Sequence, residues 1–539
     1  MLASDRDNDK IATITGNGNV HEPADFDKAI SATGYGLFNV LLLLATLPIA
    51  WTAVFDTTTS AFILASAECD LELTFFRKGV LVAFPYVAMT TTAFIWDYIT
   101  PYVGMRMLFI LALLGDSILN IVSSGVQSYY VFLLVKFVSG VLAGGPLAMV
   151  MTYLTEFHSA RYKPRFTTWA GFLFAVANMV PAVLGFTILP LDWHIDIFGR
   201  GYNSWRIYLL ICSIPPVIGL MTSAMLPDSP KYLMSIGRSD VALRLLRRMY
   251  HMNTGQPLEA FPIKTLLIPQ KTQLTRPVLE VSLEKMRVSL YNTKLLLSTA
   301  YLPAFCFVSF LQFGSMLGFN TMRLWVPHMF IILNNFNANN WTSDTRPTMC
   351  EMLDRRAALP GQRYLNRSNF DDACFEWTIN PVIYQNSTMI ASSAVVFSFL
   401  AGFIMNTKLR KQIIILTAFL ISVASSFGIN WAQSPPYMLT LAAAVIVTTR
   451  IAGNVVTAVN VDVIPIPLRA SSTSVLATIG NIAAIVGNLI FSALLGTECI
   501  VAFTGLGCLF TGCFCLSLFF PQPVRESPKK LAQEITTKL

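Results

Sequence analysis

Long apolar runs alternate with short polar breaks along most of this chain. They fall at roughly 37–66, 75–97, 107–126, 129–153, 167–190 and 205–226, and after a polar stretch at 295–330, 382–405, 412–429, 437–460, 471–495 and 499–520. Each run matches the span of about 20 residues that a helix needs to cross a bilayer core. The pattern predicts an all-α membrane protein with twelve transmembrane helices in two bundles of six. It divides the chain into a tail (1–30), a first bundle (31–226), a linker (227–294), a second bundle (295–520) and a second tail (521–539).

Composition sharpens this reading. Of 539 residues, 54% are hydrophobic and 13% charged, where soluble domains carry about 25% charged residues. The net charge of +8 is not a nucleic-acid footprint, because its Lys and Arg fall mainly in loops of one parity. With both tails cytosolic, the inside loops and the second tail hold 22 of them and the outside loops nine, as the positive-inside rule asks. Met1 to Ile30 holds no apolar stretch, so the first span is expected to act as its own insertion signal. No zinc spacing, phosphate-binding loop or hydrolase motif appears, so neither a metal, a cofactor nor an enzyme activity is expected.

Two polar segments interrupt the spans. Within the basic linker, Arg244, Arg247 and Arg248 alternate with Leu243, Leu245 and Leu246, which predicts an amphipathic helix over Val241 to Tyr250 lying on the cytosolic face. The loop 331–381, placed outside, carries the N-glycosylation acceptors Asn340 and Asn366 and two cysteines, Cys350 and Cys374. Both sequons are expected to be modified, and the two cysteines to pair.

The halves echo each other. After the fourth span Glu156 is followed seven residues later by Lys163, and after the tenth Asp462 is followed likewise by Arg469. Two parallel six-helix halves are the mark of a transporter with its site between them at mid-membrane.

The residues also carry a family likeness. Phe62 to Glu68, Ala93 to Trp96, Ser139-Gly140 with Gly144-Gly145, Tyr153, Glu156 and Phe157 occur in order, followed by Ser204-Trp205-Arg206, Pro227-Asp-Ser-Pro230, Trp325-Val-Pro327 and Gly487 to Phe491. In this ordered set the chain resembles the sugar-porter-like branch of the major facilitator superfamily, and within it most of all the synaptic vesicle glycoprotein 2 family. The likeness covers nearly the whole membrane portion and implies the major facilitator fold.

The departures bear on gating. In the family's Gly-x-x-x-Asp-Arg-x-Gly-Arg-Arg motif between spans 2 and 3, Asp97 takes the first glycine and Pro101 the aspartate, while Gly104 and Arg106 survive. The resemblance gives that aspartate to a charge relay closing the cytosolic gate, so the first-half relay is expected to be damaged. The second-half copy keeps Gly402, Arg410 and Lys411, with Asn406 at the acid position. Arg106, Glu156, Lys163, Arg410, Lys411, Asp462 and Arg469 are therefore the expected gate, with Glu156–Arg106 as a candidate pair.

Asp56 is the sharpest site candidate, lying about 18 Å inside the acidic exit of the first span. An ionisable group so deep is functional by default, and by resemblance it falls on an acidic position of the family's first helix. Two readings stand: a cavity-facing carboxylate that handles solute or a proton, or a structural one bonded to a neighbouring helix. Lys136 and Arg450, in spans 4 and 10, bind anions, balance Asp56 or brace helices. Asn454, Asn481 and Trp325 are further candidates, whereas Asp116 reads as a peripheral packing residue and Arg323 as snorkelling to the outer interface.

The expected function is secondary transport of a small organic solute, an organic ion or a sugar-like molecule, by alternating access, with or without a coupled ion. The alternative is a transporter-like vesicle or surface glycoprotein that does not transport and serves as a receptor or trafficking partner. A continuous polar cavity between the halves favours the first, and a plugged one the second. Either protein sits in the lipid bilayer of the plasma membrane or a vesicle, and neither contacts nucleic acid.

Overall fold

The computed structural model describes residues 24–520 other than 192, 198–199, 268–286, 289, 300, 335–347, 352–380, 405–407 and 496. After a short α1 (Phe26–Ala32), the first half contains α2 (Leu37–Phe62), α3 (Phe75–Val103), α4 (Met105–Ser124) and α5 (Tyr129–Glu156). Two broken spans follow, α6 (Lys163–Val176) with α7 (Val180–Ile188), and α8 (Ser204–Cys212) with α9 (Ile214–Met225). Each break falls where proline stands in the first turn of the new helix. Proline lacks the N–H that a helix interior requires but is tolerated at a helix start.

The linker contains α10 (Pro230–Ser235) and α11 (Ser239–Thr254). The second half has α12 (Leu302–Asn334), α13 (Pro381–Ile404), α14 (Lys408–Ile429), α15 (Pro435–Val463), α16 (Arg469–Leu495) and α17 (Cys499–Ser517). Among the described residues ten helical segments are long and apolar enough to cross a membrane. With α3 and α13, of 29 and 24 residues, the twelve expected spans are present. The linker marks one end of the bundle, called here the linker end. The opposite, loop end carries the turns α2–α3, α12–α13 and α16–α17, and a small antiparallel hairpin, β1 (His194–Ile197) with β2 (Arg200–Asn203), which the hydrophobic pattern did not announce.

Small residues set how closely the helices pack. A Cβ on Gly145 of α5 would stand 2.3 Å from the Trp96 ring of α3, and the Trp96 indole N–H donates to the Val141 carbonyl at 3.0 Å. Of the glycine pair of the fourth span, Gly145 is thus the seat of the α3 tryptophan, while Gly144 faces Met89. Between the halves, α3 lies along α16 and α12 approaches α2.

The linker helix is longer than the leucine–arginine alternation predicts. Its apolar face buries Ala242, Leu246 and Met249, and α1 packs against it through buried Ala29 and Ile30. Asn253 ties it to the start of α2, accepting from the Phe38 N–H at 3.1 Å and donating to the Thr33 carbonyl at 3.1 Å. One orphan N–H of that helix start, that of Phe38, is thus satisfied by a side chain from the linker.

Candidate functional site: a cavity between the two halves

A cavity of about 590 Å³ lies between the halves, lined by α2, α6, α7, α12, α13 and α15. Its walls follow helical periodicity. On α15 the lining residues are Ile446, Arg450, Asn454, Thr457, Ala458 and Val461, and on α12 they are Phe319, Arg323, Val326 and Pro327, spacings that keep one helix face toward the space. The cavity extends to Thr167, Gly402 and Val461, near the linker-end termini of α6, α13 and α15.

Toward the loop end, side chains from opposite halves meet. Lys78 of α3 and His328 of α12 are 3.1 Å apart, nitrogen to nitrogen, and the Tyr384 hydroxyl of α13 donates to the Phe62 carbonyl of α2 at 3.2 Å. One layer deeper the Tyr86 hydroxyl donates to Asn320 at 3.1 Å. Arg323 donates to Tyr86 at 3.0 Å, to Thr58 at 3.3 Å and to Asn178 of the other half. Nearer the linker end Phe172 and Phe399 pack across the halves with ring centroids 4.3 Å apart. The polar inter-half bonds therefore close the loop end, and an aromatic pair narrows the path below.

Of the candidate site residues, Arg450 and Asn454 line the cavity. Asp56 does not. It sits two residues before the lining Thr58, about 200° around the helix at 3.6 residues per turn, and so points into the first bundle. There Asn120 donates to Asp56 Oδ1 at 2.9 Å and to Asp116 Oδ2 at 3.1 Å, Lys136 donates to Asn120 at 3.1 Å, and Ser139 donates to Asp116. All five side chains are buried. Lys136 therefore belongs to this cluster of α2, α4 and α5 and does not face Arg450. Asp116 is no peripheral residue, since it anchors the same cluster.

Trp325 is a further correction. Two residues from Arg323, it is turned away from the cavity and buried against Phe491 and His328. Asn481 on α16 does not line the space. Arg323 reaches no outer interface; it is a cavity residue that sequence reasoning missed. Its position four residues from Phe319 and from Pro327 was the available signal.

The linker-end residues pair differently from expectation. Arg106 faces Asp228 of the Pro-Asp-Ser-Pro segment at 3.9 Å and donates to the Ala224 carbonyl at 2.8 Å, so it does not pair with Glu156. Glu156 instead accepts from the Ser229 hydroxyl, and Tyr153 donates to the Pro227 carbonyl at 2.6 Å. The segment after α9 thus brings Asp228 to Arg106 and Ser229 to Glu156, pinning the linker to α4 and α5. Gly104 is required there, because its φ is +81° and a Cβ would stand 2.8 Å from the Tyr232 ring. In the second half Lys411 pairs with Asp462 at 2.6 Å, while Arg469 donates to the Ile464 carbonyl at 3.0 Å. Arg410 is exposed and Lys163 half-buried.

The expected Cys350–Cys374 bridge is replaced by Cys350–Cys499, with a Cα–Cα distance of 5.3 Å. Met349 donates its N–H to the Ala432 carbonyl at 2.8 Å, which holds the turn at 349–350 on the second bundle beside the start of α17. Cys69 at the loop end is also disulfide-bonded. Cys374, Asn340 and Asn366 lie outside the described residues.

The profile of the sugar (and other) transporter family matches residues 46–330, just over half of the chain. Synaptic vesicle glycoprotein 2B of Homo sapiens is 27% identical over 217 residues, covering 39% of this chain and 32% of that protein. Synaptic vesicle glycoprotein 2A of Rattus norvegicus is 29% identical over 208 residues, covering 38% and 28%. The chain spans about a third of the length of the curated relatives it matches. Among solved structures, the partially occluded inward-open conformation of the E. coli xylose transporter superposes with a TM-score of 0.60 at 13% identity, over 90% of this chain and 100% of that one. Its inward-open conformation gives 0.58 at 14% identity, over 92% and 99%. At these identities the likeness is one of fold.

Proposed function

Because this chain belongs to the sugar (and other) transporter family, we propose that it is a secondary transporter, carrying a small organic solute across the bilayer by alternating access. One observation carries the reading. The cavity is built from both halves, reaches the linker end and is closed at the loop end by bonds between the halves. A solute held there leaves toward the linker end; rocking of the halves would break the Lys78–His328 and Tyr384–Phe62 contacts and release it toward the other. The cavity is mainly apolar rather than the polar one expected, with Asn178, Arg323, Arg450 and Asn454 among its polar groups. That it is open space and not a plugged interface favours this reading over the non-transporting receptor.

In this proposal the linker end is cytosolic and the loop end extracytoplasmic. The excess of Lys and Arg in the linker-end loops supports it. The bonded cysteines Cys69, Cys350 and Cys499 all sit at the loop end, as expected of an oxidising compartment. The sequons Asn340 and Asn366 belong to the same side.

Gly171 lines the cavity, and a Cβ at this position would meet nothing within 4 Å. Gly171→Trp should fill the solute path while the protein still folds. Uptake by reconstituted vesicles is the test, with loss in Gly171→Trp expected; unchanged uptake would mean that the solute does not use this cavity.

A further inference from the structure

We infer that the cavity takes a small organic anion, with its carboxylate on Arg450 and an apolar body against the aromatic wall. This rests on the transport reading above and names the chemical class of its solute. The described lining residues include two guanidiniums, Arg323 and Arg450, and no Asp or Glu. Arg450 stands 15 residues into the 29-residue α15, near the middle of a membrane-spanning helix. A guanidinium at that depth is costly unless an anion or a set of acceptors meets it.

The two arginines differ in what meets them. Arg323 is held by Asn178, Tyr86, Thr58 and Asn320, all neutral groups that fix its place without cancelling its charge. Arg450 has only the face of Phe319, 4.9 Å from the ring centroid, and no hydrogen-bond acceptor among the described residues. Arg323 leans on the same ring at 5.2 Å. The buried acids of the first bundle offer no relief, since Asp56 and Asp116 lie on the far side of α2 with Lys136. Asp462 is paired with Lys411 at the linker end. The cavity therefore has an uncompensated positive centre whose planar fork matches a carboxylate in bidentate geometry. Phe172, Phe319, Phe399 and Ile390 offer an apolar surface beside it, suited to a hydrocarbon or aryl body.

The test uses the full-length protein in lipid nanodiscs in a low-chloride buffer. Its unfolding temperature is read against benzoate and octanoate, their neutral amides, benzyltrimethylammonium, D-xylose and chloride. Both carboxylates should stabilise the protein and the amides and the cation should not. Arg450→Gln should weaken benzoate binding at least tenfold, and Arg450→Lys, which keeps the charge and loses the fork, should weaken it less. Three results would overturn the inference: stabilisation by D-xylose or the amides equal to that by the carboxylates, benzoate affinity unchanged in Arg450→Gln, or no response to either carboxylate. Stabilisation by chloride alone would also overturn it, by assigning the site to an inorganic ion. Benzoate uptake by reconstituted vesicles separates this inference from the reading beneath it. Arg450-dependent binding without uptake supports the anion site and contradicts transport, whereas uptake of D-xylose without anion binding does the reverse.

Discussion

Lys78 and His328 join the two halves at the loop end, their side-chain nitrogens 3.1 Å apart in a buried contact. Lys78 also pairs with Glu68 at 2.9 Å and lies over the Phe75 ring. Lysine can donate to both partners at once, and methionine of similar length to neither. Lys78→Met should loosen this closure and raise severalfold the rate at which an impermeant maleimide, added from the loop side, labels a Thr58→Cys reporter in the cavity. An unchanged rate would assign the closure to the apolar contacts around it.

The cluster of Asp56, Asp116, Asn120, Lys136 and Ser139 makes an asymmetric prediction. It holds two carboxylates and one ammonium, so Asp56→Asn leaves the charges balanced, whereas Lys136→Met strands two acids in the bundle. Removing one partner of a buried ionic cluster costs about 3–5 kcal/mol. Lys136→Met should lower the unfolding temperature markedly and Asp56→Asn should not. The opposite order would show that Asp56 carries the stabilising charge.

His158, just after α5, predicts a pH dependence. It is buried, stacked on Phe166 with ring centroids 3.6 Å apart, and placed between Asn39 at 3.1 Å and the Leu154 carbonyl at 2.7 Å. Burial pushes its pKa below the ordinary value, Lys163 adds to the shift, and the Leu154 bond opposes it. The unfolded chain therefore takes up a proton at a pH where the folded protein does not. The stability this histidine confers is complete above about pH 6.5 and declines as pH falls below it. Unfolding temperatures at pH 7.5 and 5.5 should differ more for the wild type than for His158→Gln; equal differences would remove His158 as the source.

The Cys350–Cys499 bridge is checked by peptide mapping under non-reducing conditions. Cys350→Ser should leave one additional alkylatable thiol, on the peptide carrying Cys499. Recovery of a Cys350–Cys374 peptide from the wild type would contradict this pairing.

The twelve spans were legible because a bilayer imposes long apolar runs whatever the tertiary contacts. Arg450 was legible as a cation deep in a span and Asn454 as a polar helix residue. The sequence reading paired Arg450 with Lys136, although the four-residue step to Asn454 is what puts two residues on one helix face. Asp56 shows where that reasoning stops: depth in the membrane can be counted along the sequence, but which neighbour a helix face meets cannot. Thr58, two residues on, faces the cavity instead. Trp325 and Arg323 repeat the lesson on α12, where the conspicuous aromatic packs against α16 and the overlooked arginine bridges the halves. Cys350 pairs with Cys499, 149 residues away, because the turn at 349–350 docks on the second bundle, and loop spacing carries no trace of that docking.

Alternating access is tested most directly by following the two ends of the molecule at once. In a background where the exposed Cys306, Cys508 and Cys515 are replaced by serine, dye pairs at Tyr102 and Leu409 report the linker end, and pairs at Phe76 and Val382 the loop end. Single-molecule energy transfer in nanodiscs should show the linker-end pair switching between a long and a short distance, with the loop-end pair taking the opposite populations and Lys78→Met shifting both. One fixed distance at each end, in the wild type and in Lys78→Met alike, would contradict the account.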